Sequence, residues 1–133
     1  MIQRHDPTSD RWRACATDSL DAARVLLRRG HIRSCISRAY YAAFCAAHAL
    51  AVRANQTPPA RGNWGHEEIG EVFHAVTASA AGRAVGMHHA QMLGSLLARR
   101  RTADYKPKIR MLEDEARLAL RESGRVVQWV EGR

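Results

Sequence analysis

Apolar residues dominate one stretch of the chain, residues 37–52, with the sequence SRAYYAAFCAAHALAV. The stretch contains no Gly, Pro, Asp or Glu, and alanine, its commonest residue, is the best helix former. A helix that is apolar on nearly every side is normally buried in a protein core. The stretch is shorter than a typical membrane span, and Arg38 and His48 interrupt it. The pattern therefore predicts the central helix of a helical bundle.

Apolar residues at helical spacing predict five helices in all, and no segment alternates as a strand would. Their expected bounds are residues 11–29, 31–54, 66–78, 87–101 and 108–130. The fold class that follows is all-α, an up-and-down bundle of about five helices. At 133 residues the chain is expected to form a single domain, residues 1–133, with a core at about 11–130.

The connections between these helices carry turn and capping residues. Residues 1–10 are predicted to be a polar lead-in, in which residues 7–10 cap the first helix. Residues 79–86 are small and are expected to be irregular. The segment TADYKP, residues 102–107, is expected to separate the last two helices, because proline disfavours helical geometry just before it. Pro107 would then occupy the first turn of the fifth helix.

The few polar residues of the central stretch share one helical stripe. Arg38, Tyr41, Cys45 and His48 are spaced by three, four and three residues. One interpretation is that Arg38 and His48 lie at the edge of the core with their polar ends in water. The other is a polar groove cut into an otherwise apolar helix. The spacing leaves both interpretations open.

Charge and cysteine usage indicate the kind of partner and compartment. The formal net charge is +8, from 21 basic and 13 acidic residues, and nearly all the basic residues are arginine. This charge permits binding to nucleic acid or another polyanion. The three cysteines lie in apolar helical patterns and are expected to be buried thiols in a reducing compartment. The first residues lack a signal-peptide pattern, so a cytoplasmic location is the default expectation.

Most motifs that carry chemistry are absent from the sequence. It has no glycine-rich phosphate loop and no metal-binding histidine pair at helical spacing, so neither a cofactor nor a metal is expected. One candidate segment remains, RRRTADY at residues 99–105, where three arginines, a carboxylate and a phenol meet. The weak catalytic candidates are Arg100, Asp104 and Tyr105. The simpler interpretation is an aspartate beside a helix start, where the helix dipole favours it.

Two segments together resemble a known family. Residues 37–47, SRAYYAAFCAA, resemble the signature SRAYYAMFHAA of the HEPN domain, and residues 100–105, RRTADY, resemble the family's second signature. His66 also matches a common position, at the opening of the third helix. The resemblance extends over about residues 11–130 and includes the predicted order of helices.

The resemblance implies a helical bundle that forms a homodimer. Prokaryotic members are commonly encoded beside a minimal nucleotidyltransferase, and many such pairs resemble toxin–antitoxin systems. The RNA-cleaving members are metal-independent and use an Arg followed, four to six residues later, by a His. Here Asp104 stands where that His is expected. A carboxylate that is ionised at neutral pH is a poor proton donor and repels RNA phosphates.

The sequence therefore predicts a dimeric partner of a minimal nucleotidyltransferase that binds nucleotide or RNA without cleaving it and does not associate with membranes. Its binding residues are predicted to be Arg38, Tyr41, Arg99, Arg100 and Tyr105. One alternative is an endoribonuclease toxin with a degenerate motif, in which His48 or another histidine serves as base. The other alternative is a non-catalytic helical adaptor.

We also expect an ion pair within this fold. Arg38 lies near the start of an apolar helix, where an unpaired guanidinium would be costly to bury. Asp104 lies at the second signature, which the family places close to the first. The sequence thus predicts a salt bridge between Arg38 and Asp104, with Tyr41 and Tyr105 lining the same groove and Arg100 left free for an anion.

Overall fold

A computed structural model describes residues 6–133, so part of the predicted lead-in, residues 1–5, lies outside the described residues. The described chain contains five α-helices and no strand, which confirms the predicted all-α bundle. The helices are α1 (Pro7–Arg28), α2 (Ile32–Arg53), α3 (His66–Ala81), α4 (Arg83–Tyr105) and α5 (Glu113–Glu131).

Helix α2 is the centre of the bundle, as the apolar stretch predicts. It packs against all four other helices, and every residue from 42 to 51 is buried. Its many alanines allow neighbouring helices to approach closely. At Ala39 the approach is close enough for the Ser123 hydroxyl of α5 to donate a hydrogen bond of 2.6 Å to the Ala39 carbonyl oxygen. Among the described residues, α2 is the one helix long and apolar enough to cross a membrane, but 78% of that window is buried inside the bundle. The protein core accounts for its hydropathy.

The start of α1 lies earlier than predicted. Asp6 caps the helix, because its carboxylate accepts hydrogen bonds from the Thr8 and Ser9 backbone N–H groups, and Pro7 occupies the first turn. Ser9 does not cap the helix but lies inside it, and its buried hydroxyl donates a 2.7 Å hydrogen bond to the Ala49 carbonyl oxygen of α2. This contact fixes the first turn of α1 against the central helix.

The prediction that residues 79–86 form an irregular segment is wrong. Helix α3 continues to Ala81, and α4 begins at Arg83, so Gly82 alone separates them. Gly82 has a φ of 101°, which glycine adopts without the steric cost that a side chain would bring. Small residues elsewhere in the segment allow the two helices to pack closely at this corner, where Gly86 lies against Ala78.

The end of α4 and the start of α5 also differ from the prediction. Residues 102–105 continue α4 rather than breaking it, since Ala103 is buried against the core. Pro107 lies in the connection and not in the first turn of α5, which begins at Glu113. The Leu112 N–H donates to the Glu115 carboxylate at 2.9 Å and so caps α5.

Arg33 of α2 holds the connection between α4 and α5 in place. Its guanidinium donates to backbone carbonyl oxygens at the end of α4 and in the residues that follow: Thr102, Ala103, Lys106, Pro107 and Ile109. The last carbonyls of a helix have no partner within the helix. A side chain from α2 therefore completes the C-terminus of α4.

The cysteines divide into two environments. Cys35 and Cys45 are buried thiols, as predicted, and burial raises the pKa of Cys35 to about 11 and that of Cys45 to about 12. Cys15 is exposed, so the prediction that it is buried is wrong. The residue that follows it, Ala16, is buried instead.

Candidate functional site

The two signature segments meet at one face of the bundle. The first half of α2 and the last turn of α4 form a groove of about 540 Å³, which we call the α2–α4 groove. It is lined by Arg33, Ser34, Ser37, Arg38, Ala103 and Asp104. The buried side of α2 fixes this arrangement, because Ala39 and Tyr40 point into the core while Ser37 and Arg38 face the groove.

Asp104 forms its ion pair with Arg100 rather than with Arg38. The Arg100 Nε lies 2.8 Å from the Asp104 carboxylate, and the Ser37 hydroxyl donates to the same carboxylate at 3.2 Å. The predicted Arg38–Asp104 salt bridge is therefore wrong, although both side chains line the same groove. Arg100 and Asp104 are four residues apart on one helix, where opposite charges meet readily. Arg100 is consequently not free for an anion, contrary to the prediction.

Arg38 is exposed to solvent and needs no buried partner. Its guanidinium carbon lies 4.9 Å from the centre of the Tyr41 ring, an arrangement that favours a cation–π contact. Within residues 6–133 it has no carboxylate within salt-bridge distance. Arg38 is thus a cation of this face that a bound anion can reach.

The two tyrosines of the predicted site lie in different places. Tyr105 is 68% exposed at the end of α4, and its hydroxyl is 3.4 Å from an Arg100 guanidinium nitrogen. Tyr41 is half-buried and lines a second groove, beside Trp12 and residues 61–66. The prediction that both tyrosines line the groove of Arg38 and Asp104 is wrong, since neither is among the residues that line the α2–α4 groove.

Arg99 is separated from the other predicted binding residues. Its guanidinium lies 2.7 Å from the Glu122 carboxylate of α5 and donates to the Ser95 hydroxyl at 2.8 Å. It therefore connects α4 to α5. The structure brings Arg38, Arg100, Asp104 and Tyr105 to one face but does not bring Arg99 there.

His66 belongs to the same region, although the residue pattern did not identify its role. The Tyr40 hydroxyl and the His66 Nδ1 are 2.7 Å apart. Burial, with the positive charges of Arg100 and Arg101, lowers the pKa of His66, while burial raises the pKa of Tyr40. Tyr40 therefore keeps its proton, and its hydroxyl shares one hydrogen bond with the His66 Nδ1, in which the His66 Nε2 takes no part. Tertiary structure alone brings these residues together, because they are 26 positions apart.

His48, by contrast, has a structural role. It is fully buried, its Nδ1 donates to the Phe44 carbonyl oxygen at 2.9 Å, and its Nε2 accepts from the Trp64 N–H at 3.0 Å. Burial lowers the pKa of His48 to about 4, so the ring is neutral at physiological pH. With both nitrogens bonded inside the core, His48 has no access to a substrate. The stripe from Arg38 to His48 thus runs from solvent into the core and matches neither interpretation fully.

The chemistry of this face consists of cations, phenols and an imidazole. In the described part of the chain, no three His, Cys, Asp or Glu side chains are grouped as metal ligands. Arginine and tyrosine side chains bind phosphates and flat rings by charge, hydrogen bonds and stacking. The arrangement is therefore suited to binding an anion or a nucleotide.

Comparison with known proteins places the chain in a family. No curated protein sequence matches it. A sequence model of the HEPN domain matches residues 9–133, nearly the whole chain, and the five-helix bundle is consistent with that domain. The chain therefore belongs to the HEPN domain family.

Proposed function

We propose that this HEPN protein binds nucleotide or RNA without cleaving it, as the dimeric partner of a minimal nucleotidyltransferase in a toxin–antitoxin-type system in the cytoplasm. Membership of the family supports the proposal. So does the position of the cationic groups, which the fold gathers around the α2–α4 groove and the end of α4.

The pairing of Arg100 with Asp104 is the observation that carries the non-cleaving part of this proposal. RNA-cleaving relatives need a histidine near the position of Asp104 and an arginine available for phosphate. Here the carboxylate replaces the histidine and holds the arginine at 2.8 Å. The histidine that cleavage would use is thus absent at this position, and the arginine is engaged with Asp104.

Binding would depend on the cations that remain available. Arg38 is exposed beside the groove, and the connection after α4 presents Lys106, Lys108 and Arg110 on its surface. This connection contains no acidic residue before Glu113. Phosphates of RNA or of a nucleotide would therefore meet several cations near the groove.

The experiment measures RNA binding and RNA integrity together. Fluorescence anisotropy with a labelled single-stranded RNA should show binding that weakens steeply with added salt, because phosphate contacts release counterions. Gel analysis of the same samples should show intact RNA. Affinity that is equal at low and high salt would contradict the electrostatic account, and no binding at all would favour the adaptor function.

His66 favours endoribonuclease activity as a second candidate. It is the histidine that lies beside Arg100, and Tyr40 orients its ring. If the protein cleaves RNA, His66→Gln should abolish cleavage while Asp104→Asn preserves it. Cleavage that survives His66→Gln would exclude this histidine from the reaction.

The partner can be tested through the neighbouring gene. Co-expression with the product of the adjacent reading frame should yield a complex, and that reading frame should encode a small nucleotidyltransferase. An adjacent gene of another class, together with no complex, would contradict this part of the proposal without affecting RNA binding.

A further inference from the structure

A second groove lies beside the α2–α4 groove and is built mainly from aromatic rings. It has a volume of about 490 Å³, and we call it the aromatic groove. Its lining comes from α1, α2 and the segment before α3: Trp12, Tyr41, Phe44 and residues 61–66. The volume falls within the range typical of small-molecule sites, roughly 300–1,000 Å³.

Aromatic residues are concentrated in and behind this groove. The chain has 3 Trp, 3 Tyr and 2 Phe, and five of these eight lie here: Trp12, Tyr40, Tyr41, Phe44 and Trp64. His48 and His66 add two more rings, with the centre of His48 at 4.3 Å from those of both Trp12 and Phe44. Rings from three separate segments thus form one continuous cluster.

Some rings of this cluster are buried in the core, and others are partly exposed to solvent. Phe44 and Trp64 are buried and form the floor, whereas Trp12, Tyr41 and His66 are only partly buried and border the opening. Partly exposed aromatic surfaces around a concave site can stack against the flat face of a ligand. The geometry therefore favours a planar ligand over an extended aliphatic one.

The walls of the groove are fixed before any ligand binds. The Trp64 N–H donates to the His48 Nε2 at 3.0 Å, and the Asn63 side-chain amide donates to the Trp64 carbonyl oxygen at 3.0 Å. His66 is held by Tyr40 at 2.7 Å. A site whose walls are already ordered loses little entropy when it binds.

The charge at the rim favours an anionic ligand. Arg38 lies over the Tyr41 ring at 4.9 Å, is exposed and has no carboxylate partner among the described residues. Arg61, which also lines the groove, is already paired with Glu68 at 2.8 Å. A ligand with its ring in the groove would therefore place a negative group next to Arg38.

We propose that the aromatic groove binds the base of a nucleotide and that Arg38 binds its phosphate. This assignment rests on the proposed function, since it names the part of the protein that recognises nucleotide or RNA. The same chemistry is offered by a free mononucleotide and by one nucleotide of an RNA strand.

Tryptophan fluorescence can test the proposal, because Trp12 and Trp64 both line the groove. Trp129 lies on α5 against His89, away from the groove, so Trp129→Phe removes its background signal. In the Trp129→Phe variant, AMP and UMP should quench the fluorescence of the two remaining tryptophans. Ribose 5-phosphate, which has no base, should bind at least about tenfold more weakly, in line with the usual contribution of base stacking. A short RNA added in a parallel titration distinguishes the free nucleotide from the strand.

Variants then locate the site. Tyr41→Leu and Arg38→Gln should each weaken AMP binding about tenfold or more, whereas Arg83→Gln, which removes an exposed charge at the start of α4, should not. Circular dichroism melts establish that each variant is folded. Arg38 is exposed to solvent, so the Arg38→Gln variant should fold and can test the site even if Tyr41→Leu does not fold.

The outcomes separate this proposal from the proposed function. Nucleotide or RNA binding that neither groove variant weakens would overturn the aromatic groove as the base site and leave the proposed function intact. The absence of binding by AMP, UMP and RNA alike would overturn both. Equal binding of AMP and ribose 5-phosphate would exclude stacking as its basis.

Discussion

Individual histidines in this protein have different roles, which their surroundings determine. His48 has both ring nitrogens bonded inside the core, whereas His66 has one nitrogen bonded to Tyr40 and borders a groove. Burial lowers the pKa of both. The free nitrogen, rather than the altered pKa, is what makes His66 a candidate for function.

Acidification should destabilise the fold through His48. Its pKa is about 4 in the folded protein, against 6.5 as the ordinary value. Between these values the unfolded chain binds more protons, so the free energy of unfolding falls as the pH is lowered from about 6.5 towards 4. His48 should account for a loss of up to about 3 kcal/mol over that range. Urea unfolding at several pH values measures it.

His48→Gln serves as the comparison for this titration. Glutamine does not titrate, so the variant should be less stable at neutral pH but should lose less stability on acidification. His66 and His89 also have lowered pKa values. The free energy of unfolding of the variant should therefore still fall as the pH is lowered, but less steeply. A variant whose slope equals that of the original protein would exclude His48 as a contributor.

Asp104→Asn should strengthen RNA binding by releasing Arg100. The ion pair is partly exposed, with 21% and 27% of the two side chains accessible, so its loss should cost less than about 1 kcal/mol of stability. One additional free guanidinium should make the dependence of log affinity on log salt steeper by about one unit. Anisotropy titrations over a salt series measure both effects, and weaker binding by the variant would contradict the prediction.

At the scale of the helices, glycines within α4 have contrasting surroundings. A Cβ at Gly86 would lie 2.8 Å from the Ala78 Cβ and 2.8 Å from its backbone nitrogen. A Cβ at Gly94 would meet nothing within 4 Å. The first glycine is required by the close approach of α3, while the second only weakens the helix.

The two alanine substitutions should therefore have opposite effects. Gly86→Ala should lower the free energy of unfolding by about 1–3 kcal/mol, because the backbone of α3 cannot easily move away. Gly94→Ala should raise it by about 0.5–1 kcal/mol through improved helix propensity. Thermal and urea unfolding of the two variants gives the comparison. If Gly86→Ala left the free energy of unfolding unchanged, the two helices would have to move apart at the corner between α3 and α4 without cost.

Apolar periodicity predicted the number and order of the helices, since that pattern depends on which side faces the core. It failed at the helix ends, which depend on single contacts from elsewhere in the chain. Helix α4 extends through Tyr105 because Ala103 is buried and Arg33 satisfies its last carbonyls. No local pattern in residues 102–107 contains that information.

The candidate site could be predicted only in part. The pairing of Arg100 with Asp104 was available from their spacing of four residues on one helix, had residues 102–105 been assigned to that helix. The contact between Tyr40 and His66 depends on tertiary packing, and so does the position of Trp12 beside the segment before α3. Sequence spacing therefore indicated the α2–α4 groove but not the aromatic groove.

At the scale of the whole molecule, apolar surface is concentrated at one place. In the described part of the chain the large exposed hydrophobic side chains are Val25, Met87, Tyr105, Ile109 and Leu112. Three of these five lie within eight residues at the connection between α4 and α5. Clustered apolar surface of this kind often marks a protein interface.

We expect a homodimer in solution, as HEPN domains often form. Multi-angle light scattering should give twice the chain mass of 14.9 kDa, about 30 kDa, at micromolar concentration. The dimer should persist at high salt if apolar contacts hold it, because salt screens charges and not apolar burial. A single species near 15 kDa throughout a concentration series would contradict the expectation.

Arg33 links the end of α4 to the central helix, and this link determines how the molecule fluctuates. A helix end normally frays, and its amide hydrogens then exchange quickly with solvent. Here the last turn of α4 can open only if the carbonyls leave a guanidinium anchored on α2. Amides of that turn should exchange slowly, together with those of the bundle interior. Tyr105 and the cations that follow it would thus remain in one arrangement between encounters with a ligand.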